Sequence, residues 1–216
     1  MLALRRFFQD YPGLNASVLT VLFVLPAVLA WLNQYGERLT QLTLYEWFPL
    51  FGMLAFTLML SHVAVGAFVM IAKLDMQLFK PYYRFTAYAV LLCMLLHPGL
   101  LIWQLYQDGY GLPPNSYLNF VDMSLRLFIL FGSISFVIFL LFETKRKFGN
   151  RPWWYMIERA SDVALILIFV HGLRLGTHVQ AGWFRVVWIV YGIILMSCLI
   201  YAFDRRHRLG QRRQGV

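Results

Sequence analysis

Six stretches of this chain stay apolar for so long that water cannot be their solvent: residues 16–32, 48–71, 85–104, 120–142, 156–175 and 183–203. A helix rises about 1.5 Å per residue and the hydrocarbon layer is roughly 30 Å thick, so about 20 mainly apolar residues are needed for each crossing. The sequence therefore predicts an all-α polytopic transmembrane bundle of six helices. Of the 216 residues 60% are hydrophobic and 13% charged, which excludes an ordinary soluble domain of this length. No internal repeat and no phosphate-cradling glycine loop is evident, and no soluble appendage is long enough for a nucleotide-binding domain.

Basic residues are retained on the cytoplasmic side of a membrane and avoided in translocated loops. With the N-terminus inside, the inner face collects Arg5, Arg6, Lys73, Lys80, Arg84, Lys145, Arg146, Lys147, Arg151, Arg159 and the five arginines after Asp204. Only Arg38, Arg126, Arg174 and Arg185 fall to the outer face, so both termini are expected to be cytoplasmic and 105–119 to form an outer loop. The domain reading is a cytoplasmic segment over 1–15, the transmembrane unit over 16–203 and a basic tail over 204–216. That tail, with the net charge of +9, points to anionic membrane lipid as its partner and not to nucleic acid. The first apolar run, with Arg5 and Arg6 before it and Ala27 to Ala30 at its end, also fits the pattern of a cleaved leader, which would leave five spans. Cys93 and Cys198 lie in apolar segments without a CxxC or CxxCH spacing, so neither a disulfide framework nor covalent haem attachment is expected.

Ionisable side chains are costly in hydrocarbon and face a partner, a cavity or a cofactor. His97, in LLCMLLHPGLLIW, and His171, in ALILIFVHGLRLGTH, sit on segments that run in the same direction. Counted from the ends of those segments they fall near one level, in the outer half of the membrane, where they could ligate a haem iron from both sides. Pro98 frees the carbonyl of Met94, Gly172 removes a side chain beside His171, and Arg126 and Arg174 are candidates to pair with haem propionates. The alternative is that both histidines hydrogen-bond to neighbouring helices and hold the bundle together. His62 is also intramembrane, and quinone binding, proton relay, substitute haem ligation or a structural hydrogen bond are open for it. His178 reads as a surface-loop histidine, with contact to an outer substrate, metal ion or haem edge as its functional alternative, and His207 reads as solvated among arginines.

Two stretches, YRFTAYAVLLCMLLHPGLL and RPWWYMIERASDVALILIFVHGLRLGTH, resemble the ferric reductase-like transmembrane domain family, which includes ferric reductases, NADPH oxidases and the membrane subunit of bacterial methionine-sulfoxide reductase systems. The resemblance covers roughly 48–206 and implies a six-helix bundle that holds b-type haem between the third and fifth helices and passes electrons. Family members carry a second histidine on each of these helices, about four turns earlier. Here those positions are Tyr83 or Arg84, and Glu158. The resemblance thus transfers one pair, His97 with His171, and one haem b. The missing inner haem implies a flavin or quinone in the inner half, or a donor and acceptor that both work from the membrane and outer side. Glu158, Arg159, Asp162 and Tyr83 could line such an inner site or form an interfacial ion cluster. The expected function is a membrane b-type cytochrome subunit, in a bacterial inner membrane, fed by a separate reductase subunit or a quinol. A haem-free scaffold or transporter that keeps the bundle is the alternative.

Overall fold

The computed structural model describes residues 10–148, 153–180 and 182–213, with the side chains of 145–148 and 209–213 left aside. Arg5, Arg6 and Arg151, which enter the charge argument, lie outside the described residues, as do the side chains of Lys145, Arg146 and Lys147. Among the described residues seven α-helices follow one another: α1 (Pro12–Tyr35), α2 (Leu44–Ile71), α3 (Lys80–Gln107), α4 (Asn115–Phe120), α5 (Arg126–Phe148), α6 (Trp154–Leu175) and α7 (Trp183–Arg213).

Local chemistry sets several of the boundaries. Pro12 opens α1, where its missing N–H costs nothing. A reciprocal cap opens α2: Thr43 Oγ1 accepts from the Tyr45 N–H at 3.3 Å, and Glu46 accepts from the Thr43 N–H at 2.7 Å. α3 starts with Pro81 in its first turn and ends just before Gly109, whose φ of 83° no helix interior permits.

Among the described residues, five helical segments are long and apolar enough to cross a membrane: Pro12–Gln41, Leu44–Ile71, Met76–Gln107, Met123–Thr144 and Trp183–Arg208. The expected count of six is corrected to five. α6, the predicted fifth crossing, is a helix of 22 residues, but Glu158, Arg159 and Asp162 occupy its second turn and its surroundings and Arg174 its last turn, so no apolar window of crossing length remains. The fourth segment also starts later than expected. Residues 115–120 form the separate helix α4, and the chain turns at Val121 and Asp122 before α5 begins. The basic residues after Asp204 are helical and continue α7 to Arg213.

Two antiparallel hairpins, α2–α3 and α5–α6, make up most of the bundle, with α1 and α7 packed along α2. α2 is the most enclosed of the five apolar segments and α5 the least, at 44% and 11% buried. The core gathers Phe23, Ala27 and Trp31 from α1, Phe56 and Leu60 from α2, Ala164 from α6, and Trp188 and Leu195 from α7. Phe56 and Trp188 hold the α2–α7 seam with ring centroids 4.6 Å apart, and Tyr191 Oη donates to the Phe23 carbonyl at 2.8 Å. Outside that core the surface stays apolar: Leu22, Phe85, Ile193 and Ile200 are each more than 60% exposed. Side chains of that kind on every outer helix face are stable against lipid and not against water.

Candidate functional site

One end of the bundle brings together the close of α3 and α6 and the start of α2 and α5, and there the two hairpins place a histidine each. His97 on α3 and His171 on α6 face one another with ring centroids 6.3 Å apart and planes at 85°. α3 and α6 themselves have no extended backbone contact among the described residues, so the rings meet across a gap between hairpins.

Each ring is fixed from behind by its own hairpin. His97 Nδ1 donates to the Phe48 carbonyl at 2.8 Å, and His171 Nδ1 donates to the Phe128 carbonyl at 2.7 Å. A carbonyl oxygen only accepts, so both Nδ1 atoms carry the proton and both Nε2 atoms keep a lone pair. Neither Nε2 has a hydrogen-bond partner among the described residues. This is the tautomer a metal needs, with the second nitrogen oriented by a backbone acceptor.

Four residues after each carbonyl stands a glycine against which the ring lies. A Cβ on Gly52 would meet the His97 ring at 2.7 Å, and one on Gly132 would meet the His171 ring at 2.6 Å. No real side chain tolerates such contacts, so both glycines are seats for the imidazoles. The arrangement is written twice in the sequence, as FPLFG over 48–52 and FILFG over 128–132. The expectation of no internal repeat is corrected here at the level of a motif. A search at one fixed period passes over it, because the glycines are 80 residues apart and the histidines 74.

Other expected features fall differently. Gly172 does not open space for a macrocycle, since its missing Cβ is filled by Trp188 at 2.6 Å. Arg174 lies exposed with its guanidinium 5.0 Å from the centre of the Phe128 ring, beside the carbonyl that holds His171. Arg126 donates to the Leu118 carbonyl at 2.6 Å, and its Nε is buried with no partner among the described residues. Both arginines are thus at the histidine end, and Arg126 keeps one unsatisfied donor there.

His62 lies elsewhere, about 15 Å of helix rise along α2 from Gly52. Its Nε2 meets Thr86 Oγ1, whose own proton goes to the Tyr82 carbonyl at 2.8 Å, so Nε2 acts as the donor. The Tyr82 and Tyr83 rings flank it at 5.8 and 5.3 Å, and Tyr83 Oη donates to its carbonyl at 3.2 Å. Tyr82 Oη also hydrogen-bonds to Thr20 at 2.7 Å and Ser61 at 2.9 Å, tying α1, α2 and α3 together. Of the readings open for His62, the hydrogen-bonded packing role matches this geometry, and ligation through Nε2 does not. Of the residues expected beside Tyr83, Asp162 pairs with Arg206, and Arg159 lies over the Tyr155 ring and bonds its hydroxyl, while Tyr83 turns towards α2.

His178 is corrected from a surface residue to a buried one, 8% exposed beneath Tyr35, whose ring stands 5.4 Å away. Its Nε2 has no partner among the described residues, and burial pulls its pKa down from 6.5 to about 4. Of the end-of-helix aromatics, Trp103, Tyr106, Trp153 and Tyr155 are exposed as a membrane-boundary belt requires, but Trp154 is buried.

A metal–imidazole bond is about 2 Å, so one iron held by two imidazoles places the ring centres roughly 6 Å apart. The observed separation, the two free Nε2 lone pairs and the two glycine seats fit haem iron, with Arg126 and Arg174 at hand for carboxylates. No group of three or more His, Cys, Asp or Glu side chains suited to a bare metal ion occurs among the described residues. Comparison with family models, curated proteins and solved structures gives no match for this chain, and the site rests on its own geometry.

Proposed function

We propose that this chain is a membrane b-type cytochrome subunit that relays electrons through a single haem held by His97 and His171. One observation carries the reading: two imidazoles inside the bundle, each tethered through Nδ1 to a backbone carbonyl and each with an unpartnered Nε2, lie with their ring centroids 6.3 Å apart. Structural histidines that merely join helices have no need to meet in this way. The likeness of the third and fifth segments to the ferric reductase-like transmembrane domain family supports the same assignment.

A haem held there by His97 and His171 would supply one-electron transfer. The protein's part is to hold both rings at fixed height and rotation, through Phe48, Gly52, Phe128 and Gly132, so that little rearranges as charge changes. Backbone acceptors on both Nδ1 protons raise the donor strength of the imidazoles. Arg126 and Arg174 would hold the propionates at the same end.

In the orientation favoured by the basic residues, the histidine pair lies in the outer half of the membrane. The other half then lacks a second pair over about 13 residues, roughly 20 Å of helix rise. With a gap of that length on the inner side, the reading takes the electrons from a quinol or a separate reductase subunit, or through a flavin or quinone in that half. A bacterial inner membrane suits such a subunit. The test is a reduced-minus-oxidised spectrum of the purified full chain with a haem-to-protein ratio. The reading requires a b-type signal and a ratio near one; a folded protein with no haem signal returns the bundle to the scaffold or transporter alternative.

A further inference from the structure

The short helix α4 belongs to the end of the bundle where His97 and His171 meet, and it is pinned to both hairpins. Its last residue, Phe120, stacks on Tyr45 of α2 with ring centroids 5.5 Å apart and planes at 2°. On the other side the Arg126 guanidinium of α5 donates to the Leu118 carbonyl at 2.6 Å. Tyr45 stands three residues before Phe48 and Arg126 two before Phe128, so α4 is fastened beside both carbonyls that tether the rings.

Two polar atoms at this corner are buried without a partner among the described residues: Ser116 Oγ on α4 and Arg126 Nε on α5. Ser116 is 0% exposed, and its backbone N–H is already spent on the Leu112 carbonyl at 3.3 Å, so the hydroxyl alone is left over. A buried donor without an acceptor weakens a fold, and native structures keep few of them. The nearby acids do not answer these two. Asp108 is engaged by the Tyr45 hydroxyl at 2.5 Å and by Gln104 at 3.1 Å. Asp122 is exposed, and Arg126 forms no ion pair among the described residues.

The corner lacks an anionic acceptor with more than one oxygen. A carboxylate is of that kind, since it accepts from a hydroxyl and a guanidinium N–H together. Arg126 lies six residues before Gly132, roughly 9 Å of rise beyond the seat of the His171 ring, towards the end of the bundle. The haem proposed above carries two carboxylates on flexible arms. Arg174 suits them less well, because it is exposed and its guanidinium already lies over the Phe128 ring. We infer that Ser116 and Arg126 form a carboxylate site that takes one propionate of that haem, with α4 as its cover. The inference rests on the haem reading and adds Ser116 and α4 to it.

Titration of the haem-free full chain with haem b, and with its dimethyl ester in which both carboxylates are blocked, tests this. Wild-type protein should bind haem b about tenfold more tightly than the ester, the scale of hydrogen bonds to a charged group. Ser116→Ala and Arg126→Gln should each lower that ratio to about threefold and leave the affinity for the ester at its wild-type value. Arg174→Gln, and Ser133→Ala on the exposed face of α5, should keep the ratio near about ten. Amide hydrogen exchange over residues 115–120 should slow when haem b binds and not when the ester does. Equal affinity for the two porphyrins, a ratio unchanged in Ser116→Ala, or equal loss of both porphyrins in that variant overturns the carboxylate site. Exchange that slows alike with both overturns the cover. A wild-type chain that binds neither porphyrin removes the haem reading itself and this site with it, so the two failures are told apart.

Discussion

His97 and His171 at one end of the bundle, and His62 towards the other, are all half-buried histidines on bundle helices, yet they are wired in opposite senses. The first two spend Nδ1 on carbonyl oxygens and leave Nε2 open. His62 spends Nε2 on Thr86 and is enclosed by Tyr82 and Tyr83. The difference teaches that a place inside the bundle does not by itself make a histidine available to a ligand. What decides is which nitrogen the neighbouring helix takes, since a carbonyl acceptor fixes the proton on one side and a hydroxyl held by its own backbone bond fixes it on the other.

Removing a ring breaks the comparison most sharply. His97→Ala or His171→Ala should abolish the haem difference spectrum, while His62→Ala should leave the haem-to-protein ratio at its wild-type value; equal loss in all three would erase the distinction between the two ends.

The glycine seats come next. Gly52→Ala or Gly132→Ala puts a methyl group within 2.7 or 2.6 Å of ring atoms, and overpacking of this kind costs about 1–3 kcal/mol. Haem occupancy should fall by roughly tenfold, by the same energy scale. Gly99→Ala on α3, where a Cβ meets nothing within 4 Å, is the control and should bind haem normally.

His62→Ala should show its effect in stability. Interhelical hydrogen bonds in membranes contribute about 0.6 kcal/mol on average and up to ~1.7, so a loss near 1 kcal/mol is expected in a denaturation titration. A haem loss with unchanged stability would contradict the packing role.

The smallest effect concerns His178. Burial favours its neutral form and lowers its pKa from 6.5 to about 4. Above pH 6.5 folded and unfolded chains are both neutral at this position. Between about 6.5 and 4 the unfolded chain takes up a proton that the folded one refuses, so stability falls as pH falls through that window. Thermal unfolding followed from pH 7 to pH 4 should steepen in the wild type relative to His178→Gln; identical slopes would mean the side chain is not enclosed.

Much of the architecture is legible from apolar length alone, because a crossing is set by a count of residues. The limits of that signal appear where polarity interrupts a run. Glu158, Arg159 and Asp162 leave α6 helical but outside the apolar class, and Val121 and Asp122 break what reads as one segment into α4 and α5. His97 and His171 are legible as a pair because helix rise converts sequence position into depth. Their tethers are not, since a backbone carbonyl has no residue identity to read. The glycine seats had a signal, the F-x-L-F-G motif at 48–52 and 128–132, but it gains meaning only when each copy lies beside a histidine. His178 reads as exposed because it follows Gly176 and Thr177, and only the fold brings Tyr35 over it.

The most direct test of the paired ligands is low-temperature electron paramagnetic resonance of the oxidised, haem-loaded full chain. Two imidazoles held with their planes at 85° predict a low-spin ferric signal of the strongly anisotropic kind that perpendicular rings produce. A high-spin signal, or a low-spin signal that survives His171→Ala unchanged, would contradict the account.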